Sequence, residues 1–599
     1  MEIANIFQTW LQGSVKDDRA CRRIFDSIDL DGSGTISLDE LDAVFDSLDE
    51  PVEKHEAASL MARIDEDKSG QIDYEEFKSF ILQLTSFDKH HQDSDFQKAY
   101  DKWWSSQRVE GAQASSSDEV NAGKVLLPTN INPCVRKVQY AVRGELLMLA
   151  EQIAEELRQG KKKPFEEVLF CNIGNPQAVE QPPITFYREV LALCDHPTLI
   201  NHPDANKIFS IDAIKRAKQI TESIPGGTGA YSHSQGVVSI RQNVADFITR
   251  RDGFPSLTED IFLTNGASSG IALLLQVMLG RPEDAMLVPI PQYPIYSALT
   301  ELADGKTSGY YLDEDSGWGL KPSELQNALD KAKDKGLNPR AMVVINPGNP
   351  AGQCLSRQVL EDIVRFCKEN RLVLLADEVY QANIYSKKNF ISLKSVVRSL
   401  GNAFDDFEFI SFHSTSKGLI GECGRRGGYM EVCGLHPQVK AAMIKLASIY
   451  LCPNLDGQVM TQLMTTPLDE DSPSYQNFKK EEGAIFSSLQ RKAAMVYDVM
   501  DKLEGVSCQR LEGAMYAFPR ISLPAGVIDE AAAQGIAPDS HYCRSLLLST
   551  GICTVPGSGF GQKPGTFHIR MTFLPEQDAL EKALLRLEEH HRNYLDRYR

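Results

Sequence analysis

Four short apolar runs in the later part of the chain each stop at a cluster of small and polar residues. They are Asp260–Thr264 (DIFLT) before NGASSG, Ala341–Ile345 (AMVVI) before NPGNPAG, Arg371–Ala376 (RLVLLA) before DEVY, and Phe407–Phe412 (FEFISF) before HSTSKGLIGECGRRGGY. Runs of this length, apolar with little alternation, suit strands buried on both faces. The first run leads into IALLLQVML, a helical stretch, and strand-like and helical stretches alternate from Val125 onward. The pattern predicts an α/β region whose loops gather beyond the carboxyl ends of the strands, where open parallel sheets bind their ligands.

The first fifth of the chain reads differently. Two segments repeat, Asp29–Glu40 (DLDGSGTISLDE) and Asp65–Glu76 (DEDKSGQIDYEE). Each carries oxygen-bearing side chains at positions 1, 3 and 5, glycine at 6, isoleucine at 8 and glutamate at 12, the spacing that wraps a hard cation of Ca²⁺ size. The expected ligands are Asp29, Asp31, Ser33, the Thr35 carbonyl and Glu40 in one loop, and Asp65, Asp67, Ser69, the Gln71 carbonyl and Glu76 in the other. Ser37 and Asp73 stand at the water-mediated position. Apolar residues flank both loops at helical spacing, among them Phe25 and Ile28 before the first and Phe77 and Phe80 after the second. Two complete copies resemble a paired EF-hand of the calmodulin family. The second loop has one more carboxylate near the ion and is expected to bind more tightly.

Length and charge support this division. At 599 residues the chain exceeds one ordinary domain. Its net charge is −19, and Met1–Val120 holds 27 acidic against 12 basic residues, so most of the imbalance lies there. Such acidity repels nucleic acid and suits a cation. No apolar run is long enough to span a bilayer, and neither a secretory, a transit nor a peroxisomal signal is recognisable. The 12 cysteines are scattered and are expected as reduced thiols, with a cytoplasmic location as the default. The bounds read from the pattern are an all-α pair over 12–85, a polar linker over 86–124 that holds Trp103 and Trp104, and the α/β region over 125–599.

The loops supply the candidate chemistry. Lys417 follows a strand, flanked by hydroxyls and by Arg425 and Arg426; nearby cations and partial burial would lower its pKa and free the amine to attack a carbonyl carbon. Taken with a phosphorylated aldehyde cofactor, the other loops find roles. Ala267 and Ser268 open a helix and offer amides to a phosphate, or they are simply a tight strand–helix turn. Arg426, with Ser414 and Ser416, would neutralise the same phosphate. Asp377 would keep a pyridine nitrogen protonated, Asn349 and Tyr380 would reach the ring hydroxyl, and Tyr293 would stack on the ring. His413 reads as structural.

The stretches GASSG, PQYPIY, INPGNPAGQCLS, LLADEVYQANIY and STSKGLIGECGRRGGY together resemble the fold-type I pyridoxal-phosphate aminotransferases, and the alanine aminotransferase branch in particular. YSHSQGVVSIRQNVADFITRRDG, FCNIGNPQA and FHIRMTF add to the likeness. The resemblance implies a mostly parallel central sheet with helices on both faces, plus a smaller α+β domain. The large domain would span about 205–450 and the small one about 150–200 with 455–599. It implies Lys417 as the Schiff-base lysine, Asp377 as the pyridinium partner, Arg426 on the phosphate, Gly174 against the substrate and Arg570 on its α-carboxylate. Tyr231 would reach the phosphate of a neighbouring subunit, which implies a homodimer. The implied reaction is transamination between L-alanine and 2-oxoglutarate, with calcium as a possible modulator. Glyoxylate as acceptor, and a catalytically inactive calcium-dependent interaction protein, are the alternatives.

Overall fold

The computed structural model describes residues 25, 33, 35–37, 69, 71–74, 76–77, 126, 130–138, 140 and 144–599. The chain divides into two units, Met1–Ala122 and Gly123–Arg599. In the first, strands β1 (Thr35–Ser37) and β2 (Gln71–Asp73) pair antiparallel with Ile36 opposite Ile72. Both isoleucines are buried, as are Phe25 and Phe77, whose rings meet edge-on at 5.6 Å. Thr35 Oγ1 donates to Gln71 Oε1 at 2.9 Å, tying position 7 of one repeat to position 7 of the other. Asp73 and Glu76 exchange two bonds, each backbone N–H donating to the other's carboxylate at 2.9–3.0 Å, a reciprocal helix cap. Of the expected cation ligands, Ser33, Thr35, Ser69, Gln71 and Glu76 are described. Asp29, Asp31, Glu40, Asp65 and Asp67 lie outside the described residues, as do Trp103 and Trp104.

In the second unit, β3 (Leu169–Phe170) precedes a seven-stranded sheet. The sheet comprises β4 (Ile261–Leu263), β5 (Asp284–Ile290), β6 (Lys306–Tyr311), β7 (Asn338–Ile345), β8 (Val373–Asp377), β9 (Phe409–Ser414) and β10 (Gly428–Cys433) in the order β4-β10-β9-β8-β7-β5-β6. Every pairing is parallel except those of β10, which runs antiparallel to β4 and β9. The four runs noted in the sequence become β4, β7, β8 and β9. The last two are shifted toward the loop: β9 takes in His413 and Ser414, because backbone pairing with Gly428 and Tyr429 continues past the apolar residues.

Alternation along the strands divides the core. On β7, Ala341, Val343 and Ile345 enter one cluster and Met342 and Val344 the other. Helices α1 (Val238–Asp252), α2 (Ala267–Met278), α3 (Ile295–Leu302), α4 (Arg357–Glu369), α5 (Leu393–Ser399) and α6 (Pro437–Ile449) cover the two faces. The first cluster takes Ile271 and Leu274 of α2, Tyr296 of α3 and Met443 of α6; the second takes α4 and α5. Helix α4 buries Leu360, Ile363, Val364 and Cys367, spaced so that they form one stripe. Ser356 caps its start by accepting from Val359 N–H. Burying each of its large aliphatic side chains contributes about 1.5–3 kcal/mol, an upper estimate.

A smaller body follows. Helix α7 (Tyr475–Met500) leads to β11 (Val506–Ser507), β12 (Tyr516–Ala517) and β13 (Arg520–Ile521). After α8 (Pro538–Thr550) come β14 (Ile552–Cys553), β15 (Val555–Pro556), β16 (Ile569–Thr572) and α9 (Gln577–Tyr598). The early strand β3 pairs parallel with β14, and Thr572 N–H donates to Cys171 O at 2.8 Å. Residues around 169–174 are thereby laced to β16, which brings Gly174 and Arg570 to one place. Among the described residues no helix is long and apolar enough to cross a membrane.

Candidate active site

Strands β4, β7, β8 and β9 run in one sense, so their carboxyl ends share one edge, and the loops leaving them converge with segments of the smaller body. Lys417 stands three residues past β9, half-buried, and its Nζ donates to Gly174 O at 3.0 Å. A β-carbon on Gly174 would collide with Tyr516 Oη and stand 3.2 Å from Lys417 Nζ. A glycine is required there by close approach, and the phenol and the amine flank one point.

Asp377, the last residue of β8, is buried and accepts from the Tyr296 hydroxyl at 3.0 Å. Burial pushes its carboxyl up to about 6; the bonds from Tyr296 and Val379 N–H and the charge of Lys417 limit the rise. Asn349, in the loop after β7, donates to the Tyr380 hydroxyl at 3.4 Å and accepts from Arg570 Nη1 at 3.3 Å. Arg570, on β16, is fully buried. Its guanidinium carbon lies 4.2 Å from the centre of the Tyr516 ring and 4.5 Å from that of Phe560, and Nη2 donates to Asn172 O. Among the described residues it makes no ion pair, and its Nε has no partner.

At the other end of the site, Arg426 adopts φ 53° and is exposed, with its guanidinium directed at the start of α2 and at the loop before it. Nη1 meets Ser416 Oγ at 3.4 Å and the Cys423 carbonyl at 2.9 Å; Nη2 meets Ser268 Oγ at 3.3 Å and Asn265 O at 3.1 Å. Helix α2 starts at Ala267 behind Gly266, whose φ of 77° suits glycine and which offers no side-chain cap; Ser269 N–H donates to Gly266 O at 3.3 Å, which leaves the Ala267 and Ser268 amides to meet an anion. Arg425 instead pairs with Asp456 at 3.1 Å.

The remaining sequence candidates are distributed as follows. Tyr293 is half-buried beside Lys417, its hydroxyl 2.5 Å from that of Tyr140. Ser414 ends β9 opposite Gly428, and among the described residues Arg426 makes no hydrogen bond to it. Tyr231 is 79% exposed. Tyr516, which lies at the centre of the cleft, was not singled out in the sequence. It sits in GAMYAFP, a short strand whose pattern resembles any buried one.

Residues 200–587 match the family described as aminotransferase class I and II, 65% of the chain. The chain belongs to the class I and II aminotransferases. Residues 18–82 match an EF-hand domain pair. Among curated relatives, the probable alanine aminotransferase, mitochondrial, of Dictyostelium discoideum is 50% identical over 78% of this chain and 89% of its own length. Alanine aminotransferase 2, mitochondrial, of Arabidopsis thaliana is 49% identical over 82% and 91%. Among solved structures, an alanine aminotransferase from Pyrococcus furiosus superposes with a TM-score of 0.60 at 24% identity, covering 77% of this chain and 99% of that one, a likeness of fold.

An aminotransferase of this family works on amino acids and 2-oxo acids with pyridoxal 5′-phosphate, and the cleft fits that group. An arginine without an ion pair among the described residues faces an uncapped helix start. A buried carboxylate lies at the strand ends, close enough to the Lys417 amine to feel its charge. Two expectations are corrected. The cytoplasmic default does not stand, because the Dictyostelium and Arabidopsis relatives are named mitochondrial. Nor is the Lys417 amine lowered toward neutrality: burial works against its charge, but Tyr516, Cys423 and Tyr293 outweigh burial and the Arg570 charge and raise it above its ordinary value. Arg425 and Arg426, thought to depress it, are directed at Asp456 and at Ser268.

Proposed function

We propose that this aminotransferase moves the amino group of L-alanine to 2-oxoglutarate, yielding pyruvate and glutamate, with Lys417 as the residue that holds the cofactor. The observation that carries this reading is Arg570, a fully buried guanidinium without a carboxylate partner among the described residues, reaching Asn349 next to Lys417's cleft. A desolvated fork of this kind has an unmet demand for a planar carboxylate. The relatives' names support alanine as donor.

When bound, pyridoxal 5′-phosphate supplies an aldehyde carbon and a protonated pyridine ring that withdraws electrons. Arg426, Ser268, Ser416 and the amides of Ala267 and Ser268 would hold the phosphate. Asp377 keeps the proton on the ring nitrogen; a cation there would draw its carboxyl back down from about 6. Asn349 and Tyr380 would hold the ring oxygen, and Tyr293 would lie against the ring. Arg570 fixes the substrate carboxylate, which turns the α-hydrogen toward Lys417. With its amine free, Lys417 would be the base that takes the substrate α-proton on Nζ and holds it for return.

The test is borohydride reduction with the cofactor bound, followed by peptide mapping, and a panel of donors and acceptors on the same preparation. The reading expects the reduced adduct on Lys417 and alanine as preferred donor. An adduct elsewhere overturns the site, and a preference for glyoxylate over 2-oxoglutarate overturns the acceptor.

A homodimer is part of the same reading: exposed Tyr231 would complete the phosphate site of a second copy. Mixing Tyr231→Ala and Lys417→Ala protomers should then restore part of the lost turnover, and no restoration refutes the shared site. Calcium in both EF-hand loops would modulate turnover; a ratio near one between saturating calcium and chelator removes that proposal. The relatives' names also support a mitochondrial location, which import into isolated mitochondria tests.

A further inference from the structure

The mechanism leaves Tyr516 unused, although this buried phenol occupies the middle of the cleft. It belongs to β12, where it pairs with Thr572 two residues from Arg570, so the sheet of the smaller body sets its position. Its ring lies against the Arg570 guanidinium at 4.2 Å and meets the Tyr380 ring edge-on at 6.3 Å. Its hydroxyl flanks the point at Gly174 that Lys417 Nζ also flanks. After Lys417 and Arg570, the neighbouring Tyr380 hydroxyl and the Gly174 backbone also help to hold its phenol below the ordinary value. The titratable and charged groups facing this pair are Arg570, Tyr380, Tyr293, Cys423 and Asp377.

We propose that Tyr516 is the positioning and proton-holding partner of Lys417, fixing the ε-amine against Gly174 and sharing one proton with it whenever the amine is free. The proton sits either on Nζ, beside a phenolate, or on Oη, beside a neutral amine able to take a substrate proton; no other reactant is needed. The arrangement is consistent in both directions. Burial opposes a phenolate at Tyr516, but Lys417 and Arg570 overcome it and lower the phenol, while Tyr516 raises the amine. Many other buried tyrosines, such as Tyr296, Tyr310 and Tyr542, are raised by burial instead. A phenol beside a guanidinium and an ammonium is therefore expected to ionise before them.

The inference rests on Lys417 as the cofactor lysine, and its test separates the two. In cofactor-free full-length protein, Lys417 acylation is followed against pH by peptide mapping, and tyrosinate absorbance is recorded alongside. Tyr516→Phe keeps the ring beneath Arg570 and removes only the hydroxyl. The variant should lose the earliest tyrosine ionisation, and the Lys417 midpoint should move down by on the order of one pH unit, the size of one lost opposite charge. A midpoint that does not move overturns the proposal, whatever the tyrosinate signal does. A midpoint that moves while borohydride trapping finds the cofactor away from Lys417 supports the pair and refutes the cofactor reading. Misfolding of Tyr516→Phe would show in circular dichroism. In that event the same titration on Gly174→Ala, which pushes the phenol and amine apart, decides by the same criterion.

Discussion

Replacing Arg570 with lysine keeps a cation at the same depth and removes the fork, so it isolates what geometry contributes to substrate binding. The guanidinium carbon lies 4.2 Å from the Tyr516 ring centre and 4.5 Å from that of Phe560, with Nη1 on Asn349 Oδ1 and Nη2 on Asn172 O. A carboxylate docking there receives two parallel charge-assisted bonds from a donor whose orientation is already set. An ammonium retains the charge and one bond. Losing one bond of about 1.5–3 kcal/mol predicts a fall in kcat/KM of roughly ten- to a hundredfold. Because the α-carboxylate is common to both donors, KM for alanine and for glutamate should rise by a similar factor. Ethylamine, which lacks the carboxylate, should be processed equally poorly by both proteins. A change in kcat/KM below about twofold would refute the clamp. A fall for ethylamine as large as that for alanine would assign the effect to a disturbed cleft.

Asp377→Asn removes the carboxylate proposed to keep a ring nitrogen protonated, and kcat should fall by about two orders of magnitude or more while cofactor capture on Lys417 persists; capture read by reduction and turnover by coupled assay separate the two. Glu378, buried and pushed up to about 7 by burial against the pull of Arg251, binds its proton more tightly in the folded state than in the unfolded. Its stabilising contribution is complete below the ordinary carboxylate range and is lost as pH rises through about 7, so the melting temperature should decline over that window, and Glu378→Gln should flatten the decline. The buried pair Lys394–Glu431, 2.5 Å apart, predicts that Glu431→Gln destabilises by about 3–5 kcal/mol in denaturant unfolding, whereas a paired Lys394→Met, Glu431→Leu replacement loses much less.

What was legible in the sequence depended on how local the signal was. β7, β8 and β9 carry short, mostly apolar runs (AMVVI, VLLA, FISF) that stop at polar loop residues, so both their existence and the loops after them could be read directly. β10 escaped because GGYMEVC borrows its partner from Phe409–Ser414 through a turn whose shape depends on Arg426 at φ 53°. Asp377 ends a strand, Arg570 occupies one and Lys417 follows one, each in a motif with a chemical reason, so all three could be singled out locally. Tyr516 carries no such local mark. Its role arises only when β12 lies beside β16 and β3 brings Gly174 from 342 residues away, a juxtaposition written in pairing rather than in spacing. The error on Lys417 has the same origin. Its neighbours in sequence are two arginines, which predict a depressed amine; its neighbours in space are two tyrosines and a cysteine, which reverse the sign. Charge in a cleft is set by what the fold brings across the gap, so a lysine's titration can be judged only once its facing strand is known.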